Sequence, residues 1–191
     1  MRNGWKNISL DVPIVRQVNW CSCGLAALIM AMKKQGADVT ERGLEANRLV
    51  RREFLMKHGF GPGRLGRIAL SAGLKTTIID PEPEVVGRLF VAEGGTWKRR
   101  APSKRDLYDA LRRGVAPVVC IPNKREAFEG SNSTGSHWVT IHAVEDGEFR
   151  LHDPAPWRKA TRCKPGYWDT WACSAILVSR PQSPIRPETG D

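Results

Sequence analysis

Cys23 is the residue of this sequence best placed for nucleophilic chemistry. The apolar residues 24–32 that follow it predict a buried helix from Cys23 to about Lys34. Ser22 is the expected N-cap of this helix and Gly36 its expected stop. A thiol on the first turn of a helix meets unpaired backbone N–H groups and the positive end of the helix dipole, and both favour the reactive thiolate. Taken alone, Cys23 could also be a small apolar residue that fills a helix terminus.

Three further residues could complete a site around Cys23. Gln17 lies six residues before it, where a side-chain amide could donate to an oxyanion beside the Cys23 backbone N–H. His137 opens a predicted strand after a loop rich in Gly, Ser and Asn, and Asp153 ends the next strand, sixteen residues later. A histidine can act as base for a cysteine nucleophile, and a carboxylate can orient that histidine. A surface glutamine, a strand-end histidine and a turn-starting aspartate are the structural alternatives.

The register of the hairpin that carries His137 and Asp153 decides whether the two side chains can meet. Side chains alternate across a strand, so a shift of one residue moves a side chain to the other face. A two-residue loop at 146–147 would place Asp153 opposite Thr140. Thr140 faces away from His137, and the two side chains would then be separated by the sheet.

A three-residue loop at 145–147 gives the opposite result. It would place Asp153 opposite Val139, which shares the face of His137, so that the two side chains become diagonal neighbours. Such a loop needs a residue with positive φ, and Gly147 suits that position. We therefore predict the three-residue loop, a positive φ at Gly147, and a hydrogen bond between the Asp153 carboxylate and the His137 ring.

The remaining sequence predicts helices first and strands later. Helices are predicted at 40–58, 64–72 and 103–113, and strands at 75–79, 115–121, 137–144, 148–153 and 172–178. The continuous apolar run at 115–121 indicates a central strand, whereas residues 81–102 show no clear pattern. This order favours an α+β fold with a mainly antiparallel sheet. We expect one domain over residues 1–180 and a flexible tail at 181–191.

The net charge of +10 predicts a basic, solvated surface or attraction to an acidic partner. No zinc-finger spacing or RNA-binding signature supports a nucleic acid as that partner. No apolar run approaches the roughly 20 residues of a membrane span, and residues 1–13 lack the apolar stretch of a secretory signal. We therefore expect a cytoplasmic protein, with export by a signal-independent route left open and the oligomeric state undetermined.

The chain contains five cysteines. An odd number without a secretory signal argues against a disulfide framework, and Cys120 lies in an apolar run that indicates a buried core thiol. A zinc site from Cys21, Cys23, Cys163 and Cys173 is an alternative, although their spacing does not match the usual two-residue knuckles. A disulfide between Cys21 and Cys163 or Cys173 is a second alternative under oxidising conditions.

The remaining histidines and the flanking tryptophans have structural interpretations. His142 has the opposite parity to His137 on the same strand, and His152 adjoins Asp153, so we expect both to face away from the site. Trp20 and Trp138 flank the candidate nucleophile and base. They could shield these groups from water, line a substrate groove, or simply pack in the core.

Together the motifs resemble a known enzyme family. The pattern Gln-x5-Cys-Gly-Leu-Ala-Ala-Leu beginning at Gln17, then His137-Trp-Val and Asp153-Pro, resembles the C39 and C39-like cysteine peptidases of the papain clan. The resemblance covers about residues 12–155. These bacterial peptidases are best known from bacteriocin-processing transporters, where they cut leader peptides after a double glycine.

The resemblance implies a papain-like fold and a complete set of reacting groups. It implies Cys23 as the nucleophile, Gln17 as the oxyanion donor, His137 as the base and Asp153 as the group that orients it. It also implies a peptide or protein substrate and no cofactor. Cys21 and the segments 81–102 and 156–191 have no clear counterpart in the family pattern.

Three functions are compatible with this resemblance. The first is a stand-alone cysteine peptidase that acts through a thiol ester. The second is a deamidase, transglutaminase-like enzyme or isopeptidase that acts on a protein with the same residues and differs in the acyl acceptor. The third is a basic binding module that has kept a papain scaffold without turnover, which an unreactive Cys23 and salt-sensitive binding to polyanions would indicate.

Overall fold

The computed structural model describes residues 5–45, 50, 59–82, 85–121, 135–156 and 174–181. The helices among them are α1 Cys23–Lys34, α2 Glu41–Glu45, α3 Pro62–Ser71, α4 Val85–Ala92 and α5 Lys104–Arg112. The strands among them are β1 Ile8–Ser9, β2 Lys75–Ile79, β3 Thr96–Lys98, β4 Val118–Ile121, β5 His137–Glu145, β6 Glu148–His152 and β7 Ala175–Ser179. None of these helices is long and apolar enough to cross a membrane.

The described strands form one sheet in the order β1-β5-β4-β7-β2-β3, and β6 pairs with β5. All pairings among these strands are antiparallel except that of β2 with β3. β4 lies between β5 and β7, as its continuous apolar sequence predicts for a central strand. The expected α+β class and mainly antiparallel sheet are therefore confirmed.

Helix α1 has the bounds that its sequence predicts. Residues 23–32 are all buried, as expected for a segment that is apolar on every side. Thr140 of β5 fixes the helix to the sheet, because its Oγ1 donates to the backbone oxygen of Ala27 at 2.8 Å. Gly36 follows the helix with a φ of 78°, a conformation that glycine adopts at little cost. The N-terminal residue Cys23 is thereby held at a fixed place against the sheet.

Apolar side chains pack against both faces of the sheet. One cluster joins α1 and α3 to the sheet, and its strand residues include Val118, Cys120 and Trp138. The other cluster joins α5 to the sheet and includes Val119 and Val139. Because neighbouring residues of β4 and of β5 belong to different clusters, the sheet separates the two.

The turn between β5 and β6 differs from the predicted three-residue loop. Glu145 pairs with Glu148, so the loop contains only Asp146 and Gly147. These two residues have φ values of 53° and 83°. Positive φ at both positions is typical of the two-residue turns whose twist matches that of the strands, and Asp-Gly is a favoured sequence for them. The predicted positive φ at Gly147 is confirmed, and the predicted loop length is wrong.

A bulge in β5 compensates for the shorter loop. Ile141 pairs with Leu151 and Ala143 pairs with Arg150. His142 is therefore an extra residue of β5 that is paired with no residue of β6. A bulge of this kind inserts one residue into one strand and shifts the register beyond it. The prediction of a longer loop assumed a regular strand, and the bulge is the physical reason why that loop is not needed.

The shifted register places Asp153 on the face of the hairpin that carries His137. Thr140 pairs with His152, so the continuation of β6 brings Asp153 opposite Val139. Val139 and His137 alternate with Thr140 and share one face. With the two-residue loop and a regular β5, Asp153 would instead oppose Thr140. The bulge therefore decides the alignment of the two side chains.

Residues 81–102, which showed no clear sequence pattern, contain α4 and β3. Phe90 of α4 is fully buried, and a Cβ added at Gly95 would lie 2.1 Å from its ring. The Nε1 of Trp97 in β3 donates to the backbone oxygen of Asp80 at 3.0 Å. These contacts are specific packing interactions between elements, which sequence periodicity does not reveal.

Other predictions lie partly outside the described residues. The helix predicted at 40–58 is described at α2, where Leu44 is buried, and at Val50, which is buried and lies in a bend. The loop rich in Gly, Ser and Asn that precedes His137, predicted at 122–136, is described only at its last two residues. The single domain at 1–180 and the flexible tail at 181–191 remain predictions.

Candidate active site

Cys23 occupies the first position of α1, as its sequence predicts. The residue is 8% exposed, so it lies at the edge of the core. Ser22 holds the N-cap position but makes no side-chain hydrogen bond to the helix. The N–H groups of the first turn are therefore left to other acceptors, which is the arrangement in which a helix terminus stabilises negative charge.

Close packing holds the start of β5 beside the start of α1. A Cβ added at Gly24 would lie 2.9 Å from Cδ1 of Trp138, so glycine permits this close approach next to Cys23. Trp138 is 5% exposed, and its Nε1 donates to the backbone oxygen of Phe60 at 3.0 Å. His137, the neighbour of Trp138, is thereby positioned near the thiol.

A buried hydrogen bond joins His137 to Asp153. His137 Nε2 lies 2.7 Å from Asp153 Oδ1, and the two residues are 1% and 4% exposed. Asp153 Oδ1 also accepts the backbone N–H of Ala155 at 2.8 Å, which fixes the carboxylate. The predicted bond between these two side chains is confirmed. Because Asp153 engages Nε2, Nδ1 is the ring nitrogen that remains to interact with Cys23.

The surroundings of His137 change its affinity for a proton. Burial lowers the pKa of its imidazole, whereas hydrogen bonds to Asp153 and Cys23 and the negative charges of both raise it by more. The pKa of His137 therefore lies above its ordinary value. An imidazolium stabilised in this way is suited to pair with a thiolate.

Residues 14–22, here called the N-terminal strap, connect the Asp153 region with the start of α1. Arg16 Nη1 donates to the backbone oxygen of Asp153 at 2.8 Å, and the backbone N–H of Gln17 donates to the oxygen of Pro154 at 2.9 Å. Gln17 is 6% exposed, so it is not a surface glutamine. The strap therefore brings Gln17 to the same region as the other three candidate residues.

Asn19 organises the turn of the strap that precedes α1. Its Oδ1 accepts both the backbone N–H and the thiol of Cys21, each at 3.1 Å. Its backbone oxygen accepts the Nε2 of Gln17 at 2.7 Å and the hydroxyl of Ser22 at 3.2 Å. Neither Asn19 nor Arg16 stands out in the sequence. An asparagine that bonds the backbone two residues on is a common turn pattern, and this spacing is the signal that could have identified Asn19.

Comparison with known sequences identifies the family of this chain. The sequence profile of the Peptidase_C39 like family matches residues 9–172. The chain belongs to this family. Among curated proteins, none matches the chain at a significant level.

Three solved structures share the fold of this C39-like chain. A C39-like peptidase from Bacillus anthracis has 16% identity and a TM-score of 0.58, with 93% of this chain and 100% of that chain covered. A double glycine motif protease from an AMS/PCAT transporter, in complex with the leader peptide, has 14% identity and a TM-score of 0.55, with 91% and 94% covered. The peptidase domain of Streptococcus ComA, a bi-functional ABC transporter involved in quorum sensing, has 17% identity and a TM-score of 0.52, with 87% and 97% covered. These likenesses confirm the expected papain-like fold.

A second thiol, Cys21, lies close to Cys23 in the C39-like chain. Cys21 is a free, buried cysteine. Burial raises the pKa of Cys21; a backbone hydrogen bond lowers it, and the nearby charges of Cys23 and Glu41 raise it further, so that the net shift is upward. Cys21 is therefore less suited than a thiol beside an imidazolium to act as a nucleophile.

The alternative cysteine sites are only partly described. Cys163 and Cys173, which would complete a zinc site or a disulfide with Cys21, lie outside the described residues. Within the described ranges, no group of three or more His, Cys, Asp or Glu side chains could hold a metal ion.

The other singled-out residues have separate places in the C39-like fold. His142 and His152 stack on each other, with ring centroids 4.0 Å apart and an angle of 7° between the rings. Trp138 packs in the core, which was one of the alternatives predicted for it. Trp20 is 64% exposed on the strap, so core packing is excluded for it.

Proposed function

We propose that this chain is a cysteine peptidase that hydrolyses peptide bonds through a thiol ester. The observation that carries the proposal is the buried 2.7 Å bond between His137 and Asp153, formed beside a cysteine at the N-terminus of a buried helix. A carboxylate in this position fixes the orientation and tautomer of the histidine. Membership of the C39-like family supports the same conclusion.

The first half of the proposed reaction forms the thiol ester. Cys23, as a thiolate, attacks the carbonyl carbon of the scissile peptide bond and forms a bond from Sγ to that carbon. His137, as an imidazolium, gives its Nδ1 proton to the leaving nitrogen, so that the C–N bond breaks and an amine departs. Asp153 remains a carboxylate and keeps the ring in place through Nε2.

The second half of the proposed reaction releases the acyl group. The neutral Nδ1 of His137 takes a proton from water, and the resulting hydroxide attacks the thiol ester carbon. The bond from that carbon to Sγ breaks, and Cys23 leaves as the thiolate beside the imidazolium. The reaction consumes one water molecule and needs no cofactor.

An oxyanion forms in both halves and needs hydrogen-bond donors. The backbone N–H of Cys23 is one donor, and the Nε2 group of Gln17 is the other. One hydrogen of this amide is engaged by the Asn19 oxygen, and the proposed mechanism assigns the second to the substrate oxyanion. Donors that are fixed before the substrate arrives stabilise the transition state without reorganisation.

We infer a peptide or protein as the substrate. One structural relative is a double glycine motif protease that was solved with its leader peptide. Leader peptides are therefore the first substrates to test. Processing of a leader peptide by this chain is a finer proposal than peptide hydrolysis, and it is tested separately.

The decisive experiment follows peptide cleavage by mass spectrometry. The wild type and Cys23→Ala are each incubated with a synthetic peptide library with randomised central positions and with peptides that contain a double glycine. We expect new amino and carboxyl termini with the wild type and none with Cys23→Ala. Cys120→Ala is the matched control because it also removes a buried cysteine, and it should retain cleavage. Equal cleavage by the wild type and Cys23→Ala would contradict the proposal.

The same spectra distinguish the other acyl acceptors. A gain of about one mass unit on a glutamine or asparagine side chain, without a cut, would indicate deamidation. A peptide joined to an added amine would indicate acyl transfer. If either product is absent with Cys23→Ala, the thiol ester intermediate stays in the mechanism. Deamidation or acyl transfer then replaces peptide hydrolysis as the reaction.

A further inference from the structure

The outer side of the N-terminal strap carries large apolar side chains that the proposed mechanism does not use. Ile14, Val18 and Trp20 are 55%, 69% and 64% exposed. Gln17 and Cys21, which alternate with them, are buried. The strap therefore has an inner side that packs on the protein and an outer side that presents apolar surface to solvent.

Hydrogen bonds of the strap impose this exposure. Gln17 is fixed by its backbone bond to Pro154, and Asn19 is fixed by its bonds to Cys21 and Ser22. Val18 lies between these two fixed residues and Trp20 directly follows Asn19, so the backbone that presents both side chains is fixed as well. Apolar surface that is held in water is a common mark of an interaction site.

The position of Val18 and Trp20 relative to the proposed reaction indicates which group would cover these two side chains. In that reaction the carbonyl oxygen of the substrate is bound by the Gln17 side chain and the Cys23 backbone N–H. Val18 and Trp20 lie in the chain between these two residues and point to solvent. We expect a peptide whose scissile bond is held at both groups to lie close to these two side chains.

We propose that Val18 and Trp20 form an apolar subsite that binds a large apolar side chain of the peptide substrate, next to the scissile bond. This inference rests on the proposed peptidase function and adds to it a preference for apolar side chains in the substrate. An aliphatic or aromatic side chain that covers the Trp20 ring would remove apolar surface of both partners from water. Glycine or a charged side chain at that position would leave the ring exposed.

Cleavage profiles of the peptide library test the subsite directly. With the wild type, the cleaved peptides should be enriched in large apolar residues at a position that flanks the cut. Trp20→Ala should lose this enrichment and raise KM for an apolar peptide about tenfold, with kcat nearly unchanged. Trp20→Phe keeps an apolar ring and should retain most of the preference.

The control variant removes an exposed apolar side chain elsewhere. Leu89 of α4 is 48% exposed, and Leu89→Ala should leave both the profile and KM unchanged. Because Trp20 and Leu89 are both largely exposed, neither substitution should prevent folding. An unchanged profile and KM in both Trp20→Ala and Val18→Ala would overturn the subsite.

A binding measurement separates the subsite from the proposed chemistry. Calorimetry with the Cys23→Ala variant and an uncut peptide that carries one leucine, or glycine in its place, needs no turnover. We expect the leucine peptide to bind more tightly, and Trp20→Ala in this background to raise its Kd about tenfold. Binding that depends on Trp20 without cleavage by the wild type would refute the peptidase function and keep the subsite. Equal Kd values for the two peptides would refute the subsite.

Discussion

The Nε2 atom of Gln17 donates a hydrogen bond of 2.7 Å to the backbone oxygen of Asn19. An amide nitrogen carries two hydrogens, so this bond uses one and directs the other. Gln17 is also fixed by its backbone bond to Pro154 and is buried. The amide is therefore oriented before a substrate arrives, as an oxyanion donor has to be.

Gln17→Ala should lower kcat with little change in KM. Loss of one oxyanion donor typically reduces kcat by about 10²- to 10³-fold, because the donor acts mainly on the charge that develops in the transition state. Steady-state kinetics on a cleaved library peptide measures the effect. Gln35→Ala is the matched control: the Nε2 of Gln35 also donates to a backbone oxygen, that of Gly114, away from the site. A kcat unchanged by Gln17→Ala would remove Gln17 from the mechanism.

Cys23 should react with iodoacetamide near pH 6 faster than Cys21 or Cys120. A helix N-terminus and an imidazolium favour the thiolate of Cys23, whereas burial raises the pKa of Cys21. Peptide mapping after brief labelling gives the three rates in one sample. Equal, slow labelling of the three thiols would argue against an enzyme.

Substitution by serine tests the same two thiols for function. Cys21→Ser should retain most of the activity, because its hydroxyl can still donate to Asn19 Oδ1. Cys23→Ser should lose nearly all activity, because a hydroxyl is far less acidic than a thiol. An inactive Cys21→Ser and an active Cys23→Ser would show that the nucleophile has been assigned to the wrong cysteine.

Features that depend on local pattern could be predicted from the sequence. The bounds of α1 follow from a segment that is apolar on every side, and the central place of β4 follows from its continuous apolar run. The Gln17, Cys23, His137 and Asp153 set was identified from motif order, and the structure brings the four to one region. Their catalytic roles remain predictions until activity is measured.

Features that depend on specific packing could not be predicted. α4 and β3 are stabilised by the contacts of Phe90 with Gly95 and of Trp97 with Asp80, which periodicity does not encode. The roles of Arg16 and Asn19 depend on hydrogen bonds between segments that meet only in the folded chain. Likewise, a bulge is a local exception to strand alternation, and no sequence signal marks its position.

The stability of the chain should depend on the protonation of His137. Its folded pKa is raised above the value of about 6.5 that it has when unfolded, so the native state binds this proton more tightly. The resulting stabilisation is fully present below the unfolded pKa and is lost as pH rises through the folded pKa. The difference in unfolding free energy between wild type and His137→Gln should therefore shrink as pH rises, which urea unfolding at several pH values can measure.

His142 should act on stability in the opposite sense. Burial and the neighbouring charge of His152 lower the pKa of His142 to about 4, although Glu145 raises it and Arg150 lowers it slightly. The unfolded chain therefore binds this proton more readily, and stability should fall as pH decreases from about 6.5 towards 4. His142→Phe keeps a flat ring against His152 and cannot be protonated, so it should lose less stability over this interval. An identical pH dependence of the two proteins would contradict the assignment.

Deletion of His142 tests whether the bulge sets the alignment of Asp153 with His137. If His142 is the extra residue of β5, its removal leaves a regular hairpin in which Asp153 still lies opposite Val139. If His142 instead were an ordinary paired residue, its removal would move His137 to the other face. The two cases therefore give opposite results for a single deletion.

We expect the deletion variant to keep the bond between His137 and Asp153 and to keep activity. Proton NMR would show this bond as a strongly downfield imidazole proton that disappears in Asp153→Ala. The variant should lose about 1 kcal/mol of stability, because the backbone oxygen of His142 accepts the N–H of Leu10 at 2.9 Å. His142→Ala is the matched control, since it also lacks the ring but keeps the extra residue and the bulge. A folded deletion variant without the downfield proton, beside a His142→Ala that retains it, would show that the register is set elsewhere in the hairpin.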